Sequence, residues 1–146
     1  MIIWRLTTKD NISEAFDGEG ASRYGGRWNS KGRKMVYCSE SVSLAVLENL
    51  VHFDVDIAPP LYLYEIEIDD PAIDRDSTLL KLLRDKTKSK HFGDKWISSK
   101  SNMALEVPSA VVERENNFLL NPEHSSFSSL KITSHGLFYL DSRLTK

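Results

Sequence analysis

The segment at residues 41–53 restricts the fold of this chain more than any other part of its sequence. Its apolar side chains follow a helical repeat and occupy most of the helix circumference. At about 100° per residue, the remaining positions form one narrow stripe, made of Ser41, Ala45, Glu48 and His52. A helix that is apolar nearly all round is buried, and its polar stripe must face polar groups. The sequence therefore predicts a core helix that begins at a Ser39 or Ser41 cap and ends near Phe53.

Glu48 is the acidic residue of that predicted helix. Because its neighbours are mostly apolar, we expect its carboxylate at the edge of the core, pointing into a cleft or toward a basic partner. An ordinary helix glutamate paired with a nearby lysine or arginine fits the same pattern equally well.

The rest of the chain mixes strand and helix patterns without a regular βαβ repeat. This mixture predicts an α+β (mixed α/β) fold, in a single domain covering residues 1–146. Residues 10–34, rich in Gly, Ser, Asn and charge, predict a long loop. The predicted strands are 2–6, 35–38, 61–68, 103–107, 117–120 and a hairpin pair at 129–133 and 137–141; a helix is predicted at 77–86, and residues 90–100 are helical or irregular.

Composition narrows the class of protein. The 146 residues are 40% hydrophobic and 27% charged, which is typical of a soluble globular domain. A net charge of −2 argues against nucleic acid as a general partner. No apolar run is long enough to span a membrane, and the first residues lack an export signal. The single cysteine, Cys38, fits a reducing compartment, so we expect a cytoplasmic protein.

A glycine-rich segment at residues 25–29 contains the first candidate ligand group. Gly25 and Gly26 allow close backbone approach, and Arg27 supplies a planar fork for phosphate or carboxylate. Trp28 either stacks on this arginine or anchors the loop in the core, and Asn29 completes the segment. A tight turn with a surface arginine is the simpler alternative.

Two further residues are candidates for ligand contact. Tyr37 ends a predicted strand, where its ring can stack on a heteroaromatic base, although such a tyrosine more often belongs to the core. Ser109 follows a proline at a strand end, where its hydroxyl can bond a phosphate or a ribose or simply hold a turn. The histidines lack metal-ligand spacing, so no metal site is expected. The basic run from Lys81 to Lys90 is most simply a solvated helix face.

Together these segments resemble the RES-domain family, which is named for arginine, glutamate and serine positions. The resemblance extends nearly end to end, with the motifs in the family order. The matching motifs are Trp4-Arg5, Gly26 to Asn29, Tyr37, Ser43 to Glu48 with His52, Gly93 to Trp96, Val107 to Ser109, Glu115 to Asn117, Asn121-Pro122 and Asp141 to Leu144.

The resemblance implies a fold similar to that of ADP-ribosyltransferases. It also implies a toxin of a bacterial type II toxin–antitoxin system, assembled with a cognate Xre-type antitoxin that carries the DNA-binding function. The family attacks NAD with loss of nicotinamide, and the acceptor is phosphate, water or a protein side chain. NAD is thus expected as a substrate, with inorganic phosphate as a possible co-substrate and no further cofactor.

The resemblance assigns roles to Arg27, Tyr37, Glu48 and Ser109, which match the family's site residues. Cleavage of the bond from ribose to nicotinamide builds positive charge at the ribose, which the Glu48 carboxylate would stabilise. Arg27 would hold the diphosphate or phosphate, Tyr37 would pack on nicotinamide or its ribose, and Ser109 would contact ribose or phosphate. Further binding candidates are Arg5, Trp28 and Asn29.

Two other classes of function are consistent with the same sequence. A non-catalytic nucleotide-binding module would be protected by NAD without turning it over. A toxin that acts on nucleic acid through the basic run would bind in a strongly salt-dependent way, which the acidic balance of the chain disfavours.

Overall fold

A mixed β-sheet with helices on its faces organises the chain, as described by a computed structural model for residues 1–52 and 59–145. The predicted α+β class is confirmed. The strands are β1 (Ile2–Thr7), β2 (Val36–Ser39), β3 (Leu61–Glu67), β4 (Ile73–Asp74), β5 (Ala104–Pro108), β6 (Asn116–Leu120) and β7 (Lys131–Phe138). The helices are α1 (Ile12–Ala15), α2 (Glu19–Tyr24), α3 (Val42–Leu50), α4 (Leu79–Leu82) and α5 (Lys86–Ser99), with short 3₁₀ turns at Asp70–Ala72, Phe127–Ser129 and Ser142–Thr145.

The seven strands lie in the order β4-β5-β6-β2-β1-β3-β7. All neighbours pair antiparallel except β4 and β5, which are parallel. At the centre of the sheet, Ser39 of β2 lies opposite Asn117 of β6, and Asn117 lies opposite Val107 of β5. Three adjacent strands therefore bring residues distant in sequence to one place.

Alternation along the strands gives the sheet two buried faces. One face packs Val36 and Cys38 of β2 with Phe118 of β6 and with Phe16, which follows α1. The opposite face holds two separate apolar clusters. One cluster contains Trp28, Trp96 and Leu119 against α4 and α5, and the other contains Leu6 and Leu61 against Ala45 of α3.

The polar strip between those two clusters positions the candidate site. Tyr37, Ser39 and Asn117 lie on the same face as the clusters, because they alternate with Val36, Cys38 and Phe118 of the opposite face. Helix α3 packs over β1 and β2 beside this strip.

Helix α3 begins as predicted, with the Ser41 side chain accepting a hydrogen bond from the Leu44 amide at 3.1 Å. Its predicted burial all round is wrong. Leu44 and Ala45 are buried, whereas Leu47 is 40% and Val51 61% exposed. One face of the helix packs on the sheet and the opposite face is open among the described residues. The predicted end at Phe53 lies outside the described residues.

The prediction of a continuous loop over residues 10–34 is also wrong, because α1 and α2 lie within it. Helices of four and six residues are too short to show an apolar repeat. They are marked instead by caps: Asn11 accepts from the Glu14 amide at 2.9 Å, and glycines with positive φ, Gly18 and Gly25, flank α2.

The predicted hairpin at residues 129–141 is a single strand, β7, paired along β3. Gly136 lies in the turn predicted between the two strands of that hairpin, at residues 134–136, where a glycine favours a turn. It lacks a positive φ, and His135 stacks on Tyr64 of β3 with ring centroids 5.3 Å apart. The predicted helix at 77–86 is reduced to α4, and residues 90–100 mostly belong to the longer α5. Within the described residues no helix is long and apolar enough to cross a membrane.

Candidate active site

A carboxylate with two fixed donors lies at the end of the polar strip. Glu48, in the last turn of α3, is half-buried, and its Oε1 accepts hydrogen bonds from Ser109 Oγ at 2.6 Å and Asn117 Nδ2 at 2.7 Å. Asn117 Oδ1 in turn accepts from Ser39 Oγ at 2.8 Å. We call Ser39, Glu48, Ser109 and Asn117 the carboxylate cluster. Within residues 1–52 and 59–145, Glu48 forms no ion pair with a lysine or arginine.

The Ser109 hydroxyl group both donates and accepts hydrogen bonds in this cluster. The residue is completely buried. Its Oγ donates to Glu48 and accepts from the amides of Val111 and Val112 at 3.1 and 3.0 Å. The serine therefore fixes the turn after β5 and the Glu48 carboxylate together, and a ligand would have to displace Glu48 to receive its proton.

The glycine-rich loop forms a second group, the loop cluster, of Arg27, Trp28, Asn29 and Tyr37. Tyr37 Oη donates to Asn29 Oδ1 at 2.6 Å and accepts from the Trp28 amide at 3.1 Å. Asn29 Nδ2 donates to the carbonyls of Ala21, Ser30 and Arg33 at 2.8–3.1 Å. Gly26 has to be glycine, because a Cβ there would lie 2.6 Å from Tyr37 Oη.

The hydroxyl of Tyr37 is a neutral donor. Burial raises its pKa well above the usual range, and the hydrogen bond from the Trp28 amide and the nearby Arg27 charge only partly oppose this. The proton stays on the oxygen and is directed at Asn29. Tyr37 therefore locks the loop onto β2 through its oxygen, and the residue as a whole is half-buried.

Arg27 keeps most of its hydrogen-bonding capacity. The side chain is half-buried, and its Nη1 donates to the Leu83 carbonyl at 2.8 Å. Among the described residues this is its one side-chain bond, and it forms no ion pair there. A guanidinium carries five N–H donors, so several remain for an anionic group.

Helix α5 holds the backbone of this loop from behind. Ser89 Oγ donates to the Arg27 carbonyl at 2.8 Å, and Asp94 accepts from the Ser30 amide and hydroxyl at 2.8 and 2.6 Å. Between these bonds, Gly93 lets the helix touch the Trp28 carbonyl; a Cβ at this position would lie 1.6 Å from that oxygen. The position of Arg27 is therefore set by one face of α5.

The two clusters are neighbours along β2. Tyr37 belongs to the loop cluster and Ser39 to the carboxylate cluster, and both side chains lie on the same strand face. Residues two apart on a strand are separated by about 7 Å. The strip thus places the Tyr37 side chain beside the oriented carboxylate, and the Arg27 charge lies near the Tyr37 hydroxyl.

Arg5 is not brought to this strip. It alternates with Trp4 and Leu6 of β1 and shares the opposite face with Ile3. Its guanidinium donates to the carbonyls of Ala15 at 2.6 Å and Tyr37 at 2.9 Å. These bonds tie α1 to the sheet, so we assign Arg5 a role in the fold rather than in anion binding.

Trp28 and Asn29 are in the core rather than at an open surface. Trp28 is 2% exposed within the cluster under α5, and Asn29 is completely buried with its polar atoms in use. Of the two alternatives for Trp28, the structure has the core anchor. We assign both residues to the support of the loop that presents Arg27.

Cys38 is buried on the other face of the sheet. Burial raises its pKa to about 12, and the nearby Arg5 charge opposes this only in part. Because the thiolate is the nucleophile, we expect no alkylation of the folded protein by iodoacetamide at pH 8 and complete alkylation in denaturant. Intact-protein mass spectrometry at matched times checks this, and rapid labelling of the folded protein would contradict the burial of Cys38.

A groove of about 650 Å³ follows α5, and its lining includes Leu82, Phe92, Trp96, Lys88 and Lys95. None of its lining residues belongs to the strip. The described residues contain no group of three His, Cys, Asp or Glu side chains that could hold a metal ion. The candidate site therefore rests on the hydrogen-bonded clusters themselves.

Sequence reasoning missed the residues that support the site. The sequence predicts only a helix-capping role for Ser39, and Asn117 enters only as part of a family motif. Gly93 and Asp94 belong to a matched family motif to which the sequence assigns no role, and Ser89 belongs to none. All three lie on α5, whose polar sequence gives a weak helical signal. A glycine next to an acidic residue within a helix, Gly93-Asp94, was the available sign of a close backbone contact.

The class of protein follows from comparison with known sequences. The family model of the RES domain matches residues 2–141, so the chain belongs to the RES-domain family. The family resemblance found in the sequence is confirmed.

Its named relatives within this family are toxins. A protein named Toxin Res from Yersinia enterocolitica is 38% identical over 99% of both chains, and another from Photorhabdus laumondii is 40% identical over 100% of this chain and 98% of its own. A Sphingobium protein named Prs ADP-ribosylating toxin is 34% identical over 98% of this chain and 96% of its own. The chain is thus a RES-type toxin.

A solved structure shares the fold. The structure titled as the MbcT–MbcA toxin–antitoxin complex of M. tuberculosis matches 94% of this chain and 83% of the matched chain, with a TM-score of 0.70. The sequence identity is 16%, so the likeness concerns the fold alone.

Proposed function

We propose that this RES-type toxin is an enzyme that breaks the bond between nicotinamide and ribose in NAD. The observation that carries the proposal is the Glu48 carboxylate, whose Oε1 is held by Ser109 and Asn117 beside a loop that presents Arg27. The reaction needs an oriented negative charge and a group that binds the anionic substrate beside it. Glu48 supplies the charge, and Arg27 supplies the binding group.

The chemistry requires little from the protein beyond position and charge. Nicotinamide leaves with the electron pair of the broken bond, and because it is already a cationic pyridinium it needs no proton. Positive charge then builds at the ribose carbon, as in glycoside cleavage. A carboxylate facing that carbon stabilises the transition state more than the ground state. We assign this role to Glu48.

The loop cluster supplies binding. The free donors of Arg27 suit the diphosphate of NAD, or an incoming phosphate, because a guanidinium matches phosphate oxygens in pairs. The half-buried ring of Tyr37 lies on the same strand face and offers a surface for nicotinamide or its ribose. Ser109 acts by holding Glu48 rather than by touching substrate.

A second candidate reaction uses the same bond cleavage with a protein side chain as acceptor. The relative named as an ADP-ribosylating toxin of Prs supports this alternative. Both reactions share the first step and differ in what attacks the ribose carbon.

We further propose that the protein is the toxin of a toxin–antitoxin pair and binds a cognate antitoxin of the Xre type. The toxin names of its relatives and the toxin–antitoxin complex that shares its fold support an antitoxin partner. The Xre type follows from the family resemblance of the sequence.

The products of NAD distinguish these reactions. Purified protein is incubated with NAD, with and without inorganic phosphate, and the products are followed by phosphorus NMR and mass spectrometry. Phosphorolysis gives nicotinamide and ADP-ribose-1″-phosphate only when phosphate is present, and hydrolysis gives nicotinamide and ADP-ribose in both samples. Intact NAD in both samples, with no modification of an added target protein, would contradict the proposal and favour a non-catalytic nucleotide-binding module.

Replacing Arg27 by alanine should weaken NAD binding by about 10- to 100-fold, since hydrogen bonds to a charged group contribute about 1.5–3 kcal/mol. Calorimetric titration of NAD measures this loss. Arg23→Ala is the matched control, because Arg23 is an exposed arginine on the neighbouring α2. If the two variants bound NAD with equal affinity, Arg27 would not be the residue that binds the diphosphate.

A further inference from the structure

We propose that Asn117 is a positioning residue for Glu48 and that Ser39 sets the orientation of the Asn117 amide. The inference rests on the proposed function and adds two residues to the same site. It is carried by two consecutive hydrogen bonds: Ser39 Oγ donates to Asn117 Oδ1 at 2.8 Å, and Asn117 Nδ2 donates to Glu48 Oε1 at 2.7 Å.

The sheet itself aligns these groups. Asn117 is on β6, directly opposite Ser39 of β2 and Val107 of β5, so it lies in the middle of three paired strands. Ser39 is 5% exposed, and Asn117 is half-buried. Backbone pairing on both sides of Asn117 leaves its side chain little freedom to move along the strip.

Charge determines which end of the amide faces Glu48. An ionised carboxylate only accepts hydrogen bonds, so at 2.7 Å its partner must be the Nδ2 group of Asn117. The opposite end, Oδ1, then needs a donor, and the Ser39 hydroxyl supplies it. Removal of Ser39 would leave Oδ1 without this donor and make rotation of the amide easier.

Both donors of the carboxylate cluster meet the same oxygen of Glu48. Ser109 and Asn117 bond Oε1, and within residues 1–52 and 59–145 no residue bonds Oε2. The carboxylate is therefore fixed through Oε1. A glutamate near the end of a helix has several side-chain torsions. Two short bonds, one from Asn117 on β6 and one from Ser109 just after β5, remove most of that freedom.

The first test compares three alanine variants in NAD turnover. Asn117→Ala should lower kcat about 100-fold with a smaller change in KM, because displacement of a catalytic group by about 1 Å has an effect of that size. Ser39→Ala should lower kcat less, because Nδ2 of Asn117 remains. Asn116→Ala is the matched control and should be unchanged, since its side chain bonds Glu106 and not Glu48.

The split between kcat and KM separates positioning from a merely structural role. Asn117→Ala should lose rate at saturating NAD while its thermal midpoint stays close to that of Asn116→Ala. A loss of rate that is matched by an equal loss of folded protein would show that Asn117 only supports the fold. An unchanged kcat would overturn the proposal directly.

An NMR measurement tests the contact without relying on turnover. A side-chain amide proton bonded to a carboxylate resonates downfield, so one Nδ2 proton of Asn117 should be downfield in the wild type and return to an ordinary position in Glu48→Ala. The same proton should move in Ser39→Ala. If the wild type fails to cleave NAD, the proposed function fails while this spectrum still decides the contact; an Asn117 signal insensitive to Glu48→Ala would overturn the inference.

Discussion

Replacing Glu48 by glutamine should lower NAD turnover about 100- to 1000-fold, the range found when a group that stabilises transition-state charge is removed. The fold should survive, because the glutamine carbonyl oxygen can still accept from Ser109 and Asn117 in place of Oε1. The substitution removes the negative charge that we assign to stabilising the ribose, while the shape of the side chain is nearly kept. Initial rates of nicotinamide release, measured beside the thermal midpoint of both proteins, separate the two effects.

Glu40→Gln is the matched control for that experiment. Glu40 is exposed just before α3, and its carboxylate accepts from the Asn116 backbone amide instead of from the carboxylate cluster. We expect its rate to stay close to that of the wild type. Turnover by Glu48→Gln at the rate of this control would exclude Glu48 as the charge that assists cleavage.

Replacing Gly93 by alanine should have the largest effect on stability. The new Cβ would lie 1.6 Å from the Trp28 carbonyl oxygen, a backbone atom that cannot rotate away. Helix α5 and the loop would have to separate, which we expect to cost about 3 kcal/mol. For a chain of this length that lowers the thermal midpoint by about 10 °C. Differential scanning calorimetry measures the change.

Gly20→Ala provides the comparison within another helix. Gly20 lies in α2, and no heavy atom is within 4 Å of the position its Cβ would take. Since alanine favours helix over glycine by up to about 1 kcal/mol, this variant should be as stable as the wild type or slightly more stable. Equal midpoints for Gly93→Ala and Gly20→Ala would refute the close packing of α5 on the loop.

Local patterns in the sequence predicted much of the scaffold and one essential orientation. The strands near residues 2–6, 35–38, 61–68, 103–107 and 117–120 are present because each is a short apolar or alternating run. The polar stripe of the 41–53 helix predicted that Glu48 faces polar groups, and its carboxylate does accept hydrogen bonds from Ser109 and Asn117. Both results depend on residues that are close together in the chain.

Such local patterns could not predict the hydrogen-bond partners of Glu48. Ser109 and Asn117 are 61 and 69 residues away from Glu48, and they meet it only because β5, β6 and β2 are adjacent. Strand order is decided by packing of the whole sheet, which a periodicity does not encode. The exposure of Leu47 and Val51 was missed for a related reason, because an apolar helix residue does not reveal whether another element covers it.

The hairpin prediction was wrong because glycine occurs both in turns and within strands. Gly136 suggested a turn, yet a glycine in a strand also occurs where nothing requires a side chain, and no heavy atom is within 4 Å of the position its Cβ would take. Continuous pairing of β7 with β3 outweighed the local turn preference. The secondary structure of residues 131–138 is therefore set by strand pairing with β3 rather than by the local sequence.

The contacts that join the loop to α5 and Glu48 to β6 also set the order in which the site can appear during synthesis. Arg27 and Glu48 leave the ribosome early, but Ser89 and Asp94 follow the loop by 62 and 64 residues, and Asn117 follows Glu48 by 69. A nascent chain that already contains Arg27 and Glu48 therefore lacks the groups that orient them. The hydrogen-bonded arrangement around Glu48 is therefore completed only after Asn117, in the last third of the polypeptide, has been made.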